Sequence, residues 1–392
     1  MNTDLEEELR AAFHAASEAV LPHPDLASLA RRGARRRRRA AVGATIAAAL
    51  LAGASYLGAT VPWQPDRSAP PRSVLTPRVI VRLSPGREVL GLAVSGPYLY
   101  LATDRSGARP YALSAYVRAT GRLIGQVSVP AEPAALVAGP ARTVWLTFIP
   151  NQAGGPCGTW LLTADLARRS AARLVCNYAL LPTGARTALT VVGTNGHLGT
   201  VVMPPPGQPG RPRVTPFANL GRFAVTSLTP VGGHIAALLT NDFGDLHVVI
   251  AGNRRLSYGG GSEPLVQSVA AEANSLWAAT FTSNGPSSGP LIQLSADLRP
   301  ITPHRVDDNP VLRDSQQVWS HQATVWVATA RAAHRLVCFA DHGGIGRMAT
   351  IPVPGQPIAL AALNRTVYVA IGGMAGTPAG EVVGYSVPAG CR

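Results

Sequence analysis

VWVAT, residues 325–329, sets one aromatic among β-branched and small apolar residues, and close variants of it recur along the chain. LYLAT (99–103), VWLTF (144–148), LWAAT (276–280) and VYVAI (367–371) share the pattern; HLGTVV (197–202) and HIAALL (234–239) are weaker copies. Such composition predicts short strands. Each copy follows another short apolar strand and a turn. Each precedes a variable loop and a third strand, such as ALSAYV (112–117), TWLLTADL (159–166), LIQLSADL (291–298) or EVVGYSV (381–387). Several copies close with a fourth strand ending near Pro, as in GRLIGQVSVP and GRMATIPVP.

With centres at Tyr100, Trp145, Leu198, Ile235, Trp277, Trp326 and Tyr368, the separations are 45, 53, 37, 42, 49 and 42. Their mean, about 45, is the period of a four-stranded propeller blade. The fold class expected is all-β, a seven-bladed β-propeller over residues 78–392. The weakness of the third and fourth copies leaves six or eight blades open, and a pair of β-sandwiches is the other all-β arrangement. The seventh copy stops after its third strand, whereas PRVIVRLSP (77–85) precedes the first copy without a partner. That strand is expected to complete the last blade, which closes the ring and covers both edges.

Upstream, Arg31, Arg32, Arg35, Arg36, Arg37, Arg38 and Arg39 put seven arginines in nine positions. Residues 40–61, AAVGATIAAALLAGASYLGATV, follow without a charge. About 20 such residues cross a hydrocarbon core as a helix, and flanking arginines stay cytoplasmic. Trp63 stands where an interfacial aromatic belongs. The expectation is a single-pass signal-anchor with the N-terminus in the cytoplasm and the C-terminal domain outside the membrane. A cleaved leader shares this pattern. Residues 62–77 are rich in Pro and polar residues and read as a linker. Within residues 1–39, Thr3 and Glu6 have capping-box spacing, and Leu5, Leu9, Phe13, Ala16 and Val20 line one helical face as far as Pro22. An amphipathic helix this short is marginal alone. Its acidic first turn disfavours anionic lipid, so a cytoplasmic protein partner for residues 1–30 is expected.

All 35 basic residues are Arg. Residues 1–39 hold eight of them against six acids, and residues 40–392 hold twenty-seven against fifteen. The positive charge therefore belongs chiefly to the main domain, which suits lipid head groups or an anionic ligand or polymer of the cell envelope. No nucleic-acid motif is present, and nucleic acid conflicts with export.

All four cysteines, Cys157, Cys176, Cys338 and Cys391, lie on the exported side, where disulfides persist. A turn at 165–169 sits midway between Cys157 and Cys176, so a hairpin there sets them opposite each other. Cys338–Cys391 follows by elimination among the three possible pairings. No CxxC or Cys/His spacing points to a metal, and no cofactor motif is found.

The VWVAT-type strand followed by a strand ending in Asp or Tyr resembles the YVTN, NHL and streptogramin-lyase-like group of propellers. The Arg block and apolar span are similar to single-span actinobacterial envelope proteins, some of which resemble partners of sigma factors. The lyase resemblance implies a metal with a His and carboxylate cluster on one face. Polar candidates for a channel mouth are Asp242, Asp245, His304, Asp307, Asp308, His321, His334, Asp341 and His342; nearly all fall in turn-forming sequence such as NDFGD and DDNP. No GxSxG, HExxH or P-loop occurs. The function expected is a membrane-anchored extracytoplasmic binding, scaffold or sensor module, linked to signalling through its N-terminus. A propeller enzyme of the lyase type is the alternative.

Overall fold

The structure is a computed structural model. It describes residues 77–391 except 85–86, 106–110, 151–155, 173–178, 193–196, 220–223, 232–233, 241–245, 251–253, 259–264, 273–274, 282–288, 297–298, 302–311, 313–314, 322–323, 330–334, 342–344 and 373–379. The predicted cytoplasmic helix, the Arg31–Arg39 block and the span at 40–61 lie outside the described residues. Among those described, no helix is long and apolar enough to cross a membrane.

Strands pair in sequence order into six four-stranded antiparallel sheets, the blades of a β-propeller. The Tyr100 blade comprises Arg87–Ser95, Tyr98–Arg105, Ala112–Val117 and Leu123–Ser128. The Trp145 blade comprises Glu132–Gly139, Thr143–Ile149, Gly158–Leu162 and Arg169–Ala172. Leu180–Pro182, Thr187–Val191, His197–Val202 and Arg213–Asn219 make the Leu189 blade. Two hairpins follow, Ala224–Val231 with His234–Thr240 and Leu246–Ile250 with Arg254–Tyr258. The Trp277 blade (Leu265–Glu272, Ser275–Phe281, Leu291–Ser295, Pro300–Ile301) and the Trp326 blade (Ser315–His321, Thr324–Thr329, Arg335–Asp341, Ile345–Pro352) come next.

In the closing blade Gln356–Leu363, Thr366–Gly372 and Glu381–Ser386 take their fourth strand from the start of the domain. Arg78–Arg82 pairs antiparallel with Glu381–Ser386, Arg78 opposite Gly384 and Arg82 opposite Glu381. The ring is closed as the unpaired 77–85 segment foretold.

One strand assignment changes. HLGTVV is the third strand of its blade, and TALTV (187–191) takes the second place. Leu189 replaces Leu198 as the repeat centre, which evens the spacing on either side. TALTV has no aromatic, so the local pattern favoured the wrong run.

Second-strand aromatics are wedges between blades. Trp145, Trp277, Trp326 and Tyr100 are fully buried. Tyr100 packs with Val144, Leu146 and Phe148 of the next blade, Trp277 meets Phe339 edge-on at 4.9 Å, and Trp326 packs on Val367, Val369 and Tyr385 of the closing blade. Tyr368 completes the circuit against Leu99 and Leu101. Each ring removes roughly 200 Å² from water, so these seams carry much of the stabilisation. Inner strands share a β-bulge near their start, at Val89/Gly91, Pro133/Ala135, Val266/Ser268, Ser315/Gln317 and Pro357/Ala359. The extra local twist fits strands crowded about one axis.

Candidate functional site

A polar site lies at the seam between the Trp326 and closing blades. A cavity of 230 Å³ is lined by His321, Thr324, Trp326, Ala362, Asn364, Arg365 and Val387. Its walls come from the facing ends of the first two strands of the Trp326 blade and, in the closing blade, from the turn between the first two strands and from Val387. Trp326 Nε1 and His321 Nε2 are buried and have no hydrogen-bond partner among the described residues. Burial pushes the His321 imidazole below its ordinary pKa, so it is neutral at pH 7. The Arg365 guanidinium stands exposed at the rim. An indole N–H, a neutral imidazole and a guanidinium suit a ligand rich in acceptor atoms.

The turn at Ala389–Cys391 is bonded to a residue that lines this cavity. Thr324 Oγ1 donates to the Cys391 carbonyl at 2.6 Å, and Cys391 is bridged to Cys338 with Cα atoms 5.5 Å apart. The bridge fastens the end of the chain to the third strand of the Trp326 blade. Cys157 is also disulfide-bonded; Cys176, its expected partner, lies outside the described residues.

A second, mainly apolar cavity of 370 Å³ is lined by Pro77, Val79, Pro352, Val353, Pro354, Glu381, Val383 and Tyr385. It sits against the closure strand. Burial, helped by Glu381, pushes the Tyr385 phenol up to about 12, and its hydroxyl has no partner among the described residues.

Of the polar residues proposed for a channel mouth, Asp242, Asp245, His304, Asp307, Asp308, His334 and His342 lie outside the described residues. Asp341 ends a third strand, paired with Ile345, and His321 lines the seam cavity. Among the described residues no group of three or more His, Cys, Asp or Glu is placed to hold a metal. Sequence reasoning missed Trp326 and Arg365 as site residues. Both sit in strand and turn positions that the repeat alone explains.

Together the ring, its wedges and its closure define a β-propeller protein. No family model matches the chain, and no curated protein matches it. Solved structures do. The Myceliophteria thermophila Cps50 (Swd1) β-propeller domain is 13% identical, with 80% of this chain and 100% of that one covered and a TM-score of 0.51. Kuenenia stuttgartiensis hydrazine synthase is 12% identical over 74% of this chain and 94% of that one, at 0.51. BamB from Moraxella catarrhalis is 16% identical over 76% and 83%, at 0.47. At such identities the likeness is one of fold, and the Swd1 match agrees with an all-β ring.

Proposed function

We propose that the chain is a membrane-anchored, extracytoplasmic β-propeller that binds a ligand, polymer or protein of the cell envelope. Its N-terminal helix engages a protein partner inside the cell. The observation that carries this reading is the Cys338–Cys391 bridge at ring closure. Disulfides of this structural kind persist in oxidising compartments, and the arginine block followed by an apolar run supplies a route there.

We also read the ring as seven-bladed. Ala224–Val231 stands between the inner strands of the Leu189 and Trp277 blades and carries the same bulge, at Val225/Ser227. Strands His234–Thr240 and Leu246–Ile250 lie side by side, so the two hairpins join as one further blade.

The test is a reporter fused after the C-terminus, with alkaline-carbonate extraction of membranes for the full chain and for one lacking residues 40–61. Activity of an export-dependent reporter, lost with the deletion, supports the reading. A reporter active only in the cytoplasm overturns it. Pull-downs with and without residues 1–39 assign partners to the helix or to the ring.

A further inference from the structure

Antiparallel pairing places the first-to-second and third-to-fourth turns of every blade at one face of the ring. The second-to-third connections lie at the other. Charge follows this division. Third-to-fourth turns carry Arg118, Arg122, Arg168, Arg211 and Arg299. First-to-second turns carry Arg142, Arg186 and Arg365, and outer strands begin at the same face with Arg78, Arg169 and Arg213. All but the half-buried Arg118 are exposed. Against these eleven stand two acids among the described side chains, Asp165 and Glu272. At the opposite face the described side chains include Arg82, Arg87 and Arg335 with Glu88, Asp104, Glu132 and Glu381, three cations to four acids.

The excess charge is thus sided. The chain also arrives on the charged side, because Arg78 begins the closure strand at that face. The seam cavity of His321, Trp326 and Arg365 is built from turns of the same face.

We propose that this arginine face lies against an anionic lipid surface, with the linker at 62–77 leading from the membrane into the face itself. The proposal rests on the anchored reading above. Arginines near an anionic leaflet each add attraction that fades within a Debye length, roughly 8 Å at physiological salt. A tether that ends on this face keeps it within that range, whereas a tether on the neutral face would turn the charge away.

The test uses the full chain reconstituted in phosphatidylcholine vesicles with or without phosphatidylglycerol, followed by hydrogen exchange. Phosphatidylglycerol should slow exchange in the turns at 118–122, 164–168 and 183–186, high salt should reverse this, and the opposite face should not respond. The triple variant Arg122→Glu, Arg168→Glu, Arg211→Glu should keep its melting temperature and lose the phosphatidylglycerol-dependent protection of these turns. Equal exchange on both lipids, or protection of the opposite face, overturns the proposal. So does protection by soluble polyphosphate but not by phosphatidylglycerol, which makes the partner a polymer. Release of the chain by alkaline carbonate overturns the anchored reading alone; flotation with anionic vesicles then decides the lipid face separately.

Discussion

Gly121 abuts the carbonyl oxygen of Ile80, so closely that a Cβ on residue 121 would overlap it. Gly121 lies in the last turn of the Tyr100 blade, and Ile80 lies in the closure strand. Arg78 adds a hydrogen bond from its guanidinium to the Ala119 carbonyl of the same turn. The contact is one case of a repeated joint in which a blade's third-to-fourth turn overlaps the outer strand of the blade before it. Gly125 meets the Asp165 carbonyl likewise, and Ser170 Oγ donates to the Pro204 and Pro205 carbonyls at 2.9 and 2.8 Å. At the end of the chain the disulfide-bonded turn at Cys391 packs beside the outer strand of the Trp326 blade.

Gly121→Ala should therefore loosen ring closure. The residue has φ +69°, which costs a side chain about 1–2 kcal/mol, and the overlap with Ile80 adds to it. Urea unfolding should show a loss of about 2 kcal/mol or more. Wild-type stability in the variant would mean that the turn moves away freely.

Removing the Cys338–Cys391 bridge by Cys391→Ser should destabilise the ring without unmaking it. The bridge closes a sequence separation of 53, which loop entropy values at about 4 kcal/mol, an upper range for real bridges. Calorimetry of the Cys338→Ser, Cys391→Ser double variant should give the same loss as the single variant, because the bond is shared.

Acid should weaken the protein through His321. Its folded pKa is depressed by burial, so the unfolded chain binds a proton first as pH falls below about 6.5. Stability is full above that value and declines as pH falls towards the folded pKa. His321→Gln should flatten this part of the profile.

Alkali should act through Tyr385 in the opposite sense. The unfolded phenol ionises near 10 and the folded one at about 12, so stability present below pH 10 is lost between the two values. Tyr100, raised by burial and bonded through its hydroxyl to the Ala164 carbonyl, adds to the same loss. Tyr385→Phe should reduce the dependence at almost no cost at pH 7, because its hydroxyl has no described partner to lose.

Strand identity, repeat period and closure by residues 77–85 were legible in the sequence, because alternation, aromatic spacing and a missing final strand are properties of nearby residues. The choice between TALTV and HLGTVV as a second strand was not. Both are short apolar runs, and only pairing with neighbours separates them. The tertiary structure alone decided that second-strand aromatics wedge into the next blade and that third-to-fourth turns overlap the preceding one. It also decided which arginines share a face. Composition counts charges, but the end of a strand on which a charge falls becomes a face only when antiparallel pairing aligns all the blades.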